Sequence, residues 1–308
     1  MTFLRMGRRS GRAPRRRGVA MIAALGAAGA LAVPALAQSF SEPAPLLELR
    51  DGIQRDVEAA AEELPAPSGA ALVDIAGIDD RLAPLENGVR QQLIDSRAAL
   101  SVERLDHVAA AYDGAALNAG VAQRLEATVP EGTRRAVAAF YASPLGRKLM
   151  GLESEAVAAL QEPNTRYTAE ILAMSADLDA RPEREALLTR IAKAMDARTV
   201  NRLMMQATTS AMLRGIALAQ GDAVSDDQLD VEVDRELDQV WDLVEEFDRL
   251  TQAWMYREAE DAELDAFLTF LEGEEAQAFV SAANAAISER LSAASLEFGD
   301  RIAAAKAE

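Results

Sequence analysis

Few side chains in this sequence have the chemistry to catalyse a reaction or hold a metal, and most of those stand alone. The chain of 308 residues has one histidine and no cysteine. His107 lies beside Asp106 and four residues after Glu103, so a Ser/His/Asp arrangement would have to run through it. No G-x-S-x-G turn accompanies it, and the same spacing suits a histidine on a solvated helix face. Zinc would need further histidine or thiolate ligands, which the sequence does not supply. The run "GDAVSDDQLDVEVDRELD" carries Asp222, Asp226, Asp227, Asp230, Glu232 and Asp234. It lacks the ligand order and central glycine of an EF-hand, and reads as an acid-rich helix start, with a weak cation site as the alternative. Met195, Met204, Met205 and Met212 lie close in sequence. They suit adaptable packing better than copper binding, because the short histidine-assisted spacing is absent. The reading therefore assigns no catalytic residue, no metal ligand and no cofactor.

One stretch keeps a claim to chemistry: "AVAAFYASPLGRKLMG", residues 136–151. Acids converging on Tyr141 or Lys148 would suit a carboxylate-dependent hydrolase, with a raised pKa as the sign. The same residues also read as a corner. Val137, Phe140 and Tyr141 share one helical face, and Ser143 offers an N-cap side chain. Pro144 follows at the first helical position, where its missing N–H costs nothing. Leu145, Leu149, Leu152, Ala156 and Leu160 form the stripe of a second helix, and Gly146 permits a close backbone approach.

The elements that must position this corner are all helices. Ala, Leu, Glu and Arg dominate, and apolar residues recur three or four apart. The stripes are Val102, Leu105, Val108 and Tyr112; Val240, Val244, Phe247, Leu250 and Trp254; and Val280, Ala283, Ile287, Leu291 and Phe298. Ser225 with Gln228 forms a capping box, and Ser101 opens another helix. No strand alternation is evident, so the fold class is all-α.

The first 37 residues read as a secretory signal peptide. Seven arginines precede the apolar run "GVAMIAALGAAGALAV", and Pro34 leads into "ALA", which places cleavage after Ala37. Residues 38–45 read as a flexible leader. Seven of the 32 basic residues leave with the signal, so 25 remain against 50 acids, a net charge of −25. That balance repels nucleic acid and anionic membrane surfaces, and favours a cationic protein partner. After the signal no apolar run reaches membrane length, and no cysteine is present for a lipid anchor or disulfide. A soluble periplasmic protein is the expectation.

The chain also looks repeated. "ERLDHV" at 103–108 resembles "RELDQV" at 235–240, and "AVAAFYASPLGRKLMG" lines up with "LDAFLTFLEGEEAQAFV". Phe140 falls on Phe270, Tyr141 on Leu271 and Ser143 on Gly273, while Glu274, Ala276 and Ala278 take the Pro, Gly and Lys positions. With "DARPERE" at 179–185 as a boundary, two tandem multi-helix domains are expected at 46–178 and 182–306, related by internal duplication.

"FYASPLGRKL" resembles the F-Y-x-[ST]-P-x-G-x-K core of a secreted bacterial family, domain of unknown function 2059, with Phe140, Tyr141, Ser143, Pro144, Gly146 and Lys148 on the motif positions. The resemblance spans about residues 90–165, with a degenerate copy near 225–300. It implies an exported helical domain and no known activity. The functional expectation is a noncatalytic module that binds a partner or supports an assembly. The alternatives are a carboxylate-dependent hydrolase and, less favoured, a weak metal binder.

Overall fold

A computed structural model describes residues 44–307 apart from 99, 162–164 and 221–224. The signal peptide and residues 38–43 of the leader lie outside the described residues. Ala44 and Pro45, expected in the leader, already belong to a helix.

The helices are α1 (Ala44–Glu63), α2 (Gly69–Ile75), α3 (Ile78–Leu82), α4 (Leu85–Asp95), α5 (Val102–Ala109), α6 (Gly114–Thr128) and α7 (Glu131–Ala142). They continue as α8 (Pro144–Gln161), α9 (Thr165–Ala180), α10 (Pro182–Ala194), α11 (Ala197–Gln220), α12 (Asp226–Met255), α13 (Asp261–Leu271) and α14 (Glu274–Ala307). No strand occurs among the described residues. Side-chain caps set several starts. Ser225 and Gln228 form the expected capping box at α12, Ser101 caps α5, and Glu260 with Glu263 makes a further box at α13.

Two apolar cores hold the fold, and each draws on both sides of residue 181. The first joins Leu72, Val89, Leu93, Tyr112, Val121 and Leu125 to Ala211, Ala286, Leu291 and Phe298. The second joins Phe140, Leu149 and Ile171 to Ile191, Trp254, Leu264, Phe267 and Leu271. Residues 42–308 accordingly form one compact unit, where the sequence suggested separate bodies at 46–178 and 182–306. The physical reason lies in the closing helices. α14 packs on α5, α6 and α7, and α8 packs on α12 and α13, so each closing helix completes the core on the far side of residue 181. Only Arg181 separates α9 from α10, which makes the "DARPERE" boundary a helix break.

The stripes hold with local exceptions. Leu105, Val108 and Tyr112 are buried, but Val102, at the first position of α5, is exposed. On α12 the buried face runs through Leu229, Val233, Leu237, Trp241, Leu250 and Trp254, while Phe247 stays partly in solvent. Trp241 rather than Val240 continues that row because it stands four residues after Leu237, and Arg198 and Arg202 at 5.4 Å from its ring and Glu245 accepting its indole N–H at 2.8 Å add to its setting.

The turn between α12 and α13 depends on one buried cation. Arg184, only 2% exposed, donates to the Tyr256 carbonyl at 2.7 Å and the Ala259 carbonyl at 3.1 Å, and pairs with Asp261. It thereby satisfies the Ala259 carbonyl and adds a second donor to the Tyr256 carbonyl, which already accepts the Ala259 N–H at 2.9 Å. Arg184→Met keeps the aliphatic bulk but leaves the Ala259 carbonyl without its donor and Asp261 without its cation. Urea unfolding should show a loss of about 2–4 kcal/mol, against under about 0.5 kcal/mol for an exposed control such as Lys193→Met.

Candidate functional site

At the end of α7 the chain turns through Ser143 in an extended conformation, φ −67° and ψ 161°. Its N–H donates to the Phe140 carbonyl at 2.9 Å, and its Oγ accepts the Gly146 N–H at 3.0 Å. Pro144 opens α8 as the sequence suggested. A Cβ on Gly146 would lie 2.2 Å from the Phe140 carbonyl oxygen and 2.6 Å from the Tyr141 Cα, so only glycine lets α8 leave the corner this closely. The second corner follows the same backbone path. Gly273 N–H donates to the Phe270 carbonyl at 3.0 Å, and Gln277 N–H to the Gly273 carbonyl at 3.0 Å, matching Arg147 to Ser143 at 3.0 Å.

The two corners meet. The rings of Phe140 and Phe270 stack with centroids 3.8 Å apart and planes within 2°. So small a separation leaves little lateral offset, and the ring quadrupoles gain less than they would offset or edge-on. Tyr141 supplies the edge-on contacts, at 5.4 Å from Phe140 and 6.2 Å from Phe270, both at 81°. Phe267 lies parallel to Phe140 at 5.7 Å.

Polar motif residues go to separate partners. Lys148 leaves the corner and binds both oxygens of Glu263 on α13, at 2.8 and 2.6 Å. Tyr141 instead neighbours a buried carboxylate that sequence reasoning did not single out. Glu153, 7% exposed, accepts the Tyr256 hydroxyl at 2.5 Å on one oxygen and Arg81 at 3.0 Å on the other. Burial, followed by the charge on Glu153, pushes the phenols of Tyr141 and Tyr256 above the ordinary tyrosine range, so both stay protonated. Glu153 is signposted in the sequence only by position. It falls four residues after Leu149, on the edge of an apolar stripe, where a carboxylate needs partners.

Both carboxylates thus sit in interhelical bonds. Glu153 ties α8 to α3 and to the end of α12, and Glu263 ties α13 to α8. For a hydrolase, a raised carboxylate would be the sign. Glu263 goes the other way: burial opposes its charge, but Lys148 and the Glu260 N–H outweigh that and hold it below the usual range.

The remaining candidates disperse. His107 is exposed on α5, its carbonyl accepting from Arg301 at 2.5 Å, and Asp106 pairs with Arg90 at 2.5 Å. Met195, Met204 and Met205 pack against three different apolar clusters. Residues 221–224 of the acidic run lie outside the described residues, and among the described ones no three acidic or histidine side chains come together as metal ligands. Shallow grooves stay open among the described residues. One, of about 480 Å³, lies between Val57 and Ala60 of α1, Leu64 just after it, and Ala139, Ala142 and Pro144 at the corner. Another, of about 230 Å³, lies between Leu85 and Gly88 of α4 and Met204, Met205 and Thr208 of α11.

The corner falls inside a segment that matches a known family. Residues 115–173 match DUF2059, an uncharacterized protein conserved in bacteria. The DUF2059 segment runs from α6 into α9 and holds all six motif residues, Phe140, Tyr141, Ser143, Pro144, Gly146 and Lys148. It starts and ends later than the 90–165 anticipated from the motif. No curated protein and no solved structure matches the chain.

The Lys148–Glu263 bridge makes a signed prediction. Lys148→Met should cost about 0.5–1 kcal/mol near neutral pH, because both groups are partly exposed. Glu263 has a depressed pKa in the folded chain, so its contribution is present above the unfolded carboxylate value of about 4.3 and is lost as pH falls through the folded value. Urea melts of the two proteins should therefore converge below about pH 4. A gap that is unchanged with pH would remove the bridge from the account.

Proposed function

We propose that this chain is an exported, noncatalytic helical module of the bacterial periplasm that binds a protein partner or supports an assembly. The observation that carries the reading is the use to which the motif is put. Ser143 caps a helix, Lys148 and Glu153 are spent on ties between helices, and the aromatic pair fills the seam between the corners. What the surface offers to a ligand is helical and apolar, in the grooves beside α1 and α11. Export rests on residues 1–37, whose basic start, apolar run and small-residue site lead to cleavage after Ala37. Among the described residues no helix is long and apolar enough to cross a membrane.

We also infer that the module arose by internal duplication. Adding 130 to the α7 start gives the α13 start, and the same step relates the α8 and α14 starts. α1 packs on α7 as α10 packs on α13, and α2 on α6 as α11 on α12. Phe140 meeting Phe270 is then a residue meeting its own copy, as on the axis of a twofold dimer.

Photo-crosslinkers placed at Ala60, Ala142 and Met205 test the functional reading in cells that carry the full chain. A periplasmic protein beginning at Gln38, with a discrete adduct from a groove position and none from an exposed control at Glu297, is the expected result. Retention of residues 1–37 in the cytoplasm, or no groove-specific adduct, would contradict it.

A further inference from the structure

We propose that α1 is a displaceable strap, and that its seat across α7 and α13 receives a basic amphipathic helix from a partner protein. This rests on the partner-binding reading above and specifies the partner's chemistry. α1 packs on both helices that carry the corner aromatics. Of its described side chains only Val57 is fully buried, with Ile53, Ala60, Ala61 and Leu64 packed more loosely against the same core. α13 is about half as long and buries Leu264, Ala266, Phe267, Leu268 and Leu271. The described apolar side chains of α1 share one core with Phe140 of α7 and with Leu264, Phe267 and Leu271 of α13, and buried aromatics are the residues on which helix-in-groove binding is built. The groove of about 480 Å³ lies where the end of α1 meets Ala139, Ala142 and Pro144 at the corner, so α1 leaves the α7 side of its seat incompletely filled.

The connection to α2 is built as a hinge with one end fixed. Leu64–Ser68 contains Pro65 and Pro67. Beyond it, Arg134 donates to the Pro67 carbonyl at 2.9 Å, Glu126 accepts the Gly69 N–H, and Ser68 caps α2. Release of α1 would therefore turn on the few backbone angles that Pro65 and Pro67 leave free at residues 64–66, while these bonds keep α2 in place.

Charge decides what replaces it. α1 carries Glu48, Asp51, Asp56, Glu58, Glu62 and Glu63 against only Arg50 and Arg55, and it lies on a strongly acidic body. Glu63 itself borders the groove. α13 adds Asp261, Glu263 and Asp265 and no base. Arg184 and Lys148 already engage two of these, so the mismatch is one of overall field rather than of a single pair. A helix with the same apolar stripe and lysines in place of the acids exchanges repulsion for attraction at no cost in burial.

The test uses the full mature chain and a labelled synthetic peptide of residues 44–64 in which every acid is replaced by lysine, followed by fluorescence anisotropy. The native-sequence peptide is the control. The lysine peptide should bind at least about tenfold more tightly than the native one at low salt, with the gap narrowing as salt screens the field. Ala60→Cys with Ala139→Cys introduces the only thiols in the chain. A short bismaleimide link between them, verified by mass as within one molecule, should weaken peptide binding at least about tenfold, while the unlinked double variant binds as wild type. Val57→Asp, which undermines the buried contact of α1, should move binding the other way. No binding, binding indifferent to the link, or equal affinity for the two peptides would overturn the strap. If such a result came together with a groove-specific adduct in the envelope, partner binding would stand and only the α1 seat would fall.

Discussion

The fold turns on a contact between two phenylalanines that are 130 residues apart. Phe140 ends α7 and Phe270 ends α13, and their stacking brings together two corners that the chain builds in the same way. Once those helix ends meet, the helices leaving them have one direction open. α8 lies over α12 and α13, and α14 over α5, α6 and α7. This exchange makes one compact unit out of what reads as two. The second corner has glycine where the first has serine and no proline or lysine, yet both carry the aromatic: the ring forms the joint, and the cap only adjusts how each helix starts.

The same constraint accounts for what became of the polar motif residues. A seam between helices of different chain segments needs ties that fix register, and buried carboxylates are tolerated only when their oxygens are satisfied. Glu153 with Tyr256 and Arg81, and Glu263 with Lys148, are such ties. Residues that would be read as acid, base and electrophile in a pocket are here engaged with one another across the seam.

Much of the local structure was legible in the residues. Ser101, Ser143 and Ser225 cap the helices they were expected to cap, Pro144 opens α8, and Gly146 sits where a side chain would strike backbone. Those features depend on neighbours within a few positions, which is what sequence displays. The relations that failed to show were long-range. Periodicity places Phe140 on an apolar face without saying which helix covers it, so two cores shared across residue 181 read as two domains. Glu153 hid because its partners, Arg81 and Tyr256, are 72 and 103 residues away. Trp241 was legible but missed: it stands four residues after Leu237 in the row that runs back to Val233 and Leu229, whereas the stripe read from periodicity starts at Val240.

If the stacked pair joins the two segments, the two rings must depend on each other energetically. The direct measurement is a double-mutant cycle in urea with Phe140→Ala, Phe270→Ala and the double variant. The single loss at Phe140 should be about 3–5 kcal/mol, and the pair should show a coupling of at least about 1 kcal/mol, the double variant costing less than the sum. Additivity within about 0.3–0.5 kcal/mol would mean that each ring serves its own segment, and would contradict the account.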